Sequence, residues 1–262
     1  MKHSRQELMK QLFYKKKQIT CQELCAQFDM SIETVRRDLA ELEKMGIVHR
    51  IYGGAVLIDT NSYPDAISPW DYRSSSHTDE KQAIAEETIK WIPDNATVAL
   101  DSGTTMMQIA KLLSRKKDLK VITNDIRVAM TLSESTDHEI CLVGGIVKQS
   151  DLITLGHFST DFLNSIAHID ITILTADGFD TKIGMYDHNY NMCNLKMSYI
   201  QHSQQVIAVM DSTKFNVKAP YRVCEAKDID LLITDNSLSP QDATNFHAKG
   251  LRFITVETGK AK

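Results

Sequence analysis

Apolar positions recur at helical spacing through the N-terminal stretch and then switch to alternation. Leu8 and Leu12 lie four apart, as do Leu24 and Phe28. Val35, Leu39 and Leu42 follow at spacings of four and three, so three helices with one buried face each are predicted. Start signals sharpen the second and third. In "TCQE" Thr20 can accept from the backbone three residues on while Glu23 reaches back, a capping box, and Ser31 caps the third helix. Gly46 is read as its stop. "IVHRIYGGAVLI" then alternates as a strand, turns at Gly53-Gly54 and returns as a second apolar strand. With Val35, Leu39 and Leu42 inward, Glu33, Arg36 and Arg37 fall on the outer side of the third helix, in its first two turns. Two helices joined by a short turn, the second basic near its start, and a hairpin wing that carries His49 and Arg50 outward form the geometry that lays a helix into the major groove of DNA.

From Asp59 to Glu80 no period holds. "DTNSYPDAISPWDYRSSSHTDE" is rich in Ser, Asp and Pro and reads as a connector, with Trp70 and Tyr72 as its tethers. A new pattern begins at Lys81, where an amphipathic helix (Ile84, Thr88, Ile89, Ile92) runs to Pro93 and "TVAL" follows as a short strand. "LKVIT", "EICLV", "DITILTA", "QVIAVM", "DLLIT" and "RFITV" read as further buried strands, with helical segments at 105–114, 126–132, 194–202 and 241–248. Such alternation builds an α/β domain whose mostly parallel sheet has helices on both faces. The expected organisation is a winged helix-turn-helix at 1–58, a linker at 59–80 and a sensing domain at 81–262.

Ligands of such sheets sit outside the carboxyl ends of the strands, and here those positions are polar. Asp101-Ser102-Gly103-Thr104-Thr105 follows "VAL" and opens a helix, offering hydroxyls, a glycine and free helix-start amides, which is what a phosphate oxyanion needs. Asn124 and Asp125 follow "VIT"; Gly144 and Gly145 follow "CLV"; Asp177 and Gly178 follow "TILTA"; Asp211, Ser212, Thr213 and Lys214 follow "AVM". Converging at one sheet edge, they fit a phosphorylated small molecule.

Composition narrows the field. At 262 residues, 42% hydrophobic and 24% charged, the chain can bury two cores. No run approaches the roughly 18–20 apolar residues of a membrane span, and "MKHSRQELMKQL" lacks a signal-peptide core, so a cytoplasmic protein with no membrane partner is expected. The five cysteines are odd in number and lack Cys-x-x-Cys spacing, which favours reduced thiols. The nine histidines include no close pair, so neither a metal nor a cofactor is expected. The net charge of -4 divides into +2 over residues 1–60 and -6 over the remainder, a basic head on an acidic body.

"SIETVRRDLAELEKMGIVHRIYGGA" closely resembles the helix-turn-helix signature of the DeoR family of bacterial repressors. "DSGTT", "ITND", "VGGIV", "LGHFSTDFLNSI", "ADGFD", "KIGM" and "MDSTKF" resemble its sensor domain in order and spacing, so the resemblance covers nearly the whole chain. It implies a sensor similar in fold to ribose-5-phosphate isomerase, a phosphorylated sugar effector that relieves repression, and a homodimer or homotetramer bound to double-stranded operator DNA. By that match Thr34, Arg36 and Arg37 contact the operator, Ser31 and Arg50 help to hold phosphates, and Asp38 orients an arginine. Ser102, Gly103, Thr104 and Thr105 would hold the effector phosphate, with Lys196 and Lys214 as cationic partners and Asn124, Asp177 and Asp211 on sugar hydroxyls. One departure stands out: many members carry Glu-x-x-x-Lys in the helix after the glycine turn, and "MCNLK" has Met192 at the Glu position. Lys196 remains, with His188, Asn189 and Asn191 nearby as substitutes.

An enzyme, for example a sugar-phosphate isomerase on this same fold, is the alternative. Isomerisation needs a positioned base beside an electrophile, and the missing Glu counts against it. Asp101 lacks the second acid, two residues on, of an aspartyl phosphotransferase, since Gly103 stands there. The sequence names neither the sugar nor the operator, and it leaves dimer against tetramer and repression against activation open.

Overall fold

The computed structural model describes residues 2–16, 18–45, 47–57 and 70–258, which form two compact units divided between Pro69 and Trp70. In the first unit α1 (Lys2–Lys16) leads through β1 (Gln18–Thr20) into α2 (Cys21–Phe28) and α3 (Ile32–Lys44), and β2 (Val48–Ile51) and β3 (Gly54–Leu57) close the wing. Thr20 and Glu23 make the expected capping box on α2, and Ser31 accepts from the Thr34 amide at the start of α3. Val35, Leu39 and Leu42 are buried against Met9, Phe13 and Leu24. The first helix departs in part from its sequence reading: Met9 and Phe13 face the core and Leu12 packs partly buried against it, whereas Leu8 is 50% exposed. Both pairs are spaced four apart, so periodicity alone could not choose the phase.

The wing has a third strand that the apolar pattern did not announce. β1 pairs antiparallel with β3, in the order β1-β3-β2. The close pairing forces a glycine at 54, where a Cβ would fall 2.4 Å from the Ile19 carbonyl oxygen. Gly46 as the stop of α3, the expected connector over 59–69 and the direction of the His49 side chain lie outside the described residues.

Residues 70–80, expected as connector, are mostly helical in the second unit: α4 (Trp70–Ser75) and the start of α5 (Thr78–Thr88). Trp70 does act as a tether, with the Arg127 guanidinium 4.1 Å and that of Arg73 5.6 Å from its ring centre. Arg73 also pairs with Asp151 at 2.5 Å.

The chain continues through β4 (Thr97–Leu100), α6 (Thr104–Leu112), β5 (Lys120–Thr123), α7 (Ile126–Ser135) and β6 (Glu139–Leu142). A hairpin, β7 (Ile146–Lys148) with β8 (Ile153–Leu155), precedes α8 (His157–Asn164) and β9 (Ile169–Leu174). β10 (Gly178–Asp180) and β11 (Gly184–Asp187) lead to α9 (Tyr190–Gln201) and β12 (Ser203–Val209). β13 (Tyr221–Cys224), β14 (Leu231–Asp235), α10 (Pro240–Ala248) and β15 (Phe253–Val256) complete the unit.

All seven strands read from the sequence lie in one parallel sheet, ordered β15-β14-β12-β9-β4-β5-β6. Because successive strand residues point to opposite faces, Val98 and Leu100 enter the core beneath α5, α6 and α7, and Ala99 enters the one beneath α8, α9 and α10. The order runs outward in both directions from β4 and β9, so the topological switch, where ligand crevices form, lies between them.

Candidate functional sites

On α3 the inner stripe is core and the side that carries Glu33, Arg36 and Arg37 is exposed. Arg36 and Arg37 are exposed, and among the described residues neither has a hydrogen-bond or carboxylate partner. Asp38, between them and the core, is fully buried, and its arginine is Arg5 of α1, which donates Nε to Oδ2 at 2.8 Å and Nη2 to Oδ1 at 3.0 Å. Asp38 therefore fixes α3 against α1 and orients neither Arg36 nor Arg37. Ser31 and Thr34 share a hydroxyl contact of 3.0 Å at the helix start. Arg50 is held on the wing by Glu43, through its amide at 2.9 Å and its Nε at 3.3 Å. Two guanidinium groups projecting from the first turns of a helix whose opposite side is packed suit the major groove, where such a group reads guanine edges.

In the second unit the polar turns after β6, β5, β4, β9 and β12 are neighbours in the sheet order. Gly103, at φ 127°, ends the turn after β4 and leaves α6 without a side-chain cap, so the amides of Thr104, Thr105 and Met106 have no acceptor within the helix. Asp125 stiffens this start: its Oδ2 accepts from the Gly103 amide at 3.1 Å, while its Oδ1 caps α7 through Arg127 and Val128. Burial pushes the Asp125 carboxyl up, against those three amide bonds.

Across the switch point lies a buried charge network. Lys196 Nζ, on α9, donates to Asp187 Oδ2 at 2.8 Å and to the Thr175 carbonyl at 2.9 Å, and lies 3.2 Å from Asp101 Oδ2. Burial alone would lower its pKa, but Asp101, Asp187 and Asp177 hold it charged. Burial pushes the Asp187 carboxyl up, against the pull of Lys196, and nearby Asp177 adds to the rise. Burial also opposes ionisation of Asp177, yet the His188 side chain and amide, each 2.9 Å from its Oδ2, and the charge on Lys196 carry it down to about 2. The hydrogen bond to Asp177 in turn raises His188.

Lys196 thus has acidic neighbours after all, supplied by the ends of β4 and β11 instead of by its own helix. Met192 is buried with its sulfur 4.0 Å from Asn124 Nδ2. Asn189 caps α9 with its side chain and donates its amide to Asp187 Oδ1 at 2.9 Å, whereas Asn191 is exposed, so of the three residues named as substitutes His188 enters the network by its side chain and Asn189 by its backbone. Asp187, in "YDHN", was not singled out from the sequence; the short strand that carries it has no apolar run to mark its end.

The remaining candidates divide by what they touch. Asp101 Oδ1 and Asn124 Oδ1 are buried acceptors with no hydrogen-bond partner among the described residues, a costly state that a donor such as a hydroxyl relieves. Asn124 is held by its Nδ2 on the Thr154 carbonyl at 3.2 Å. Gly144 accepts from Ser159 Oγ at 2.6 Å. Gly145, at φ 147°, packs so close that a Cβ would fall 2.2 Å from Ser159 Oγ. Asp211 is buried and accepts from the Thr213 amide at 3.1 Å; its carboxyl stays low because Lys214 and Thr213 outweigh burial. Ser102 and Gly103 are half-buried, and Thr104 and Thr105 buried, at the start of α6. Among the described residues no cluster of His, Cys, Asp and Glu is arranged to hold a metal ion.

Residues 5–61 match the family model of the DeoR-like helix-turn-helix domain, and residues 76–236 match that of the DeoR C terminal sensor domain. The chain belongs to the DeoR family. This DeoR-family chain is 31% identical over 247 residues to the HTH-type transcriptional regulator GolR of Listeria innocua, covering 94% of this chain and 96% of that one. It is 31% identical over 229 residues to the glycerol-3-phosphate regulon repressor of Escherichia coli K12, 87% of each. A ribose-5-phosphate isomerase solved with phospho-erythronic acid is similar over 52% of each chain, at 18% identity and a TM-score of 0.39, a likeness that bears on neither chemistry nor ligand. No helix among the described residues is long and apolar enough to cross a membrane.

Proposed function

We propose that this DeoR-family chain is a DNA-binding repressor of a carbohydrate-metabolism operon, released from its operator when a phosphorylated sugar binds at the carboxyl edge of the sensor sheet. The observation that carries the effector half is the start of α6 at the topological switch, without a side-chain cap and beside two buried acceptors that have no partner among the described residues. Amides of Thr104, Thr105 and Met106 would take the phosphate, helped by the hydroxyls of Ser102, Thr104 and Thr105 and by Lys214, with Gly103 and the Gly144-Gly145 turn letting the ligand approach. Asp101, Asn124, Asp177 and Asp211 would accept from sugar hydroxyls. Lys196 serves this set by pairing with Asp101 at 3.2 Å and by helping to hold the Asp177 carboxyl low, a different role from a direct phosphate contact. On α3, Arg36 and Arg37 would read bases, Thr34 would assist, and Ser31 and Arg50 would contact phosphates. Binding of an operator places the protein in the cytoplasm.

The division of labour is head at 1–58, linker, and sensor from 81, preceded by the anchored segment that begins at Trp70. A hundredfold release requires the effector to favour the non-binding state by about 2.7 kcal/mol. A thermal-shift screen against sugar phosphates, followed by a gel shift with the stabilising compound, tests the reading. It expects one compound that both raises Tm and frees the DNA. Conversion of that compound in the same tube would favour the isomerase alternative.

A further inference from the structure

One carboxylate of the first unit stands where a polyanion would repel it. Glu43 follows Arg36 by seven residues on α3, which puts the two on one stripe of the helix, two turns and about 10 Å apart. The phosphates that Arg36 and Arg37 are placed to approach would therefore meet a negative charge further along the same side. What Glu43 holds there is the wing. Its Oε1 accepts from the Arg50 amide at 2.9 Å, and its Oε2 lies 3.3 Å from the Arg50 Nε. β2 is an outer strand of the three-stranded wing, in the order β1-β3-β2, and Arg50 lies opposite Ala55 of β3. The Arg50 amide thus belongs to the open edge of that sheet, and Glu43 closes it. The end of the guanidinium is left over, since neither Nη of Arg50 donates a hydrogen bond among the described residues. With the two side chains 46% and 36% exposed, the ion pair adds little to the fold.

We infer that Glu43 is a positioning residue for DNA binding: it fixes the Arg50 guanidinium on the α3 stripe that carries Arg36, so that helix and wing engage the phosphate backbone together. The inference rests on the operator reading and adds to it a residue that touches no DNA. A free arginine on an edge strand samples many rotamers and loses them on binding, whereas one held at its amide and Nε meets a phosphate with its two Nη groups already aimed. The anchor is firm, because α3 is itself tied to α1 through the buried contact of Asp38 with Arg5. The opposite role, a competitor that occupies Arg50 until DNA displaces it, would require the carboxylate to take the Nη end that a phosphate needs, and the contacts are at the amide and Nε instead. The two roles differ in sign: a positioning carboxylate strengthens DNA binding in spite of its charge, and a competitor weakens it.

Fluorescence anisotropy of the full chain on a duplex selected from a random pool, repeated at salt concentrations between about 50 and 200 mM, tests the inference. Glu43→Ala is expected to bind at least about threefold more weakly than the wild type although it removes a negative charge, and to lower the slope of log affinity against log salt by about one, the loss of one phosphate contact. Its circular-dichroism melt should stay close to that of the wild type, because the pair it breaks is partly exposed. Arg50→Ala should have the same effect on affinity and slope, and adding Glu43→Ala to it should cost no further affinity, since the carboxylate acts through Arg50. Glu43→Ala that binds as tightly as the wild type or more tightly overturns the inference and leaves the operator reading standing. So does a loss that is repeated in full on the Arg50→Ala background with the salt slope unchanged, the mark of a merely structural residue. A wild type that prefers no duplex over random competitor removes the operator reading itself, and this inference with it.

Discussion

Arg36 and Asp38 sit two positions apart on α3 and have opposite parts to play. Arg36, like Arg37, is exposed and has no partner among the described residues, so replacing either with alanine should weaken operator binding by about 1–3 kcal/mol while changing stability by less than about 0.5 kcal/mol. Fluorescence anisotropy on an operator duplex and a thermal melt read the two separately. Asp38→Ala should cost about 1–3 kcal/mol of stability, because it breaks a buried bidentate contact to Arg5. The sequence placed the arginines on the outer face through their phase against Val35, Leu39 and Leu42. It could not identify the partner of Asp38, which lies 33 residues away.

Lys196 shows the same limit at the sensor. Its carboxylates come from the ends of β4 and β11 and become neighbours only when the sheet forms. Lys196→Met should therefore destabilise the fold by about 3–5 kcal/mol, visible as a lower denaturation midpoint, since it strands buried carboxylates. The His188–Asp177 pair carries a pH signature. His188 has its folded pKa raised above 6.5, so its contribution is fully present below that value and is lost as pH rises through the raised pKa. The stability difference between wild type and His188→Gln, on the order of 1 kcal/mol for this partly exposed pair and read as a Tm shift, should accordingly shrink above about pH 7. A difference that grows with pH would contradict the assignment.

At the scale of elements, the legible parts were those with an apolar run or a cap. Seven β-branched runs gave all seven strands of the parallel sheet, and Thr20 and Ser31 gave the starts of α2 and α3. The strands that went unread, β1, β7, β8, β10, β11 and β13, are three or four residues long, and their side chains follow no alternation that a window could detect. The face of α1 was read only in part, Leu12 packing against the core but Leu8 lying exposed, because Leu8–Leu12 and Met9–Phe13 share one spacing. The helix at 70–75 was read as linker for another reason: what holds it is the stacking of Trp70 on Arg127 and the ion pair of Arg73 with Asp151, both distant in sequence. Trp70→Ala should cost about 1–2 kcal/mol of sensor stability, and hydrogen exchange should show faster opening of residues 70–75. Gly145→Ala, at a positive φ and against Ser159, should cost about 1–3 kcal/mol.

The molecule carries a head whose α3 cations have no partner among the described residues and a sheet edge whose amides and acceptors suit an anionic, hydroxyl-rich ligand. The polar turns that form this edge were legible because each directly follows a buried strand, and a parallel sheet brings all such ends to one side. On the proposed reading, what binds there decides how firmly α3 holds DNA. The most direct measurement is operator affinity of the full chain, on a duplex selected from a random pool, titrated with a panel of sugar phosphates and repeated with Thr104→Asp, whose carboxylate would occupy the start of α6. One sugar phosphate should weaken binding of the wild type by about a hundredfold, and Thr104→Asp should bind the operator normally and no longer respond. Operator affinity untouched by every sugar phosphate, or a Thr104→Asp chain released as readily as the wild type, would contradict the account.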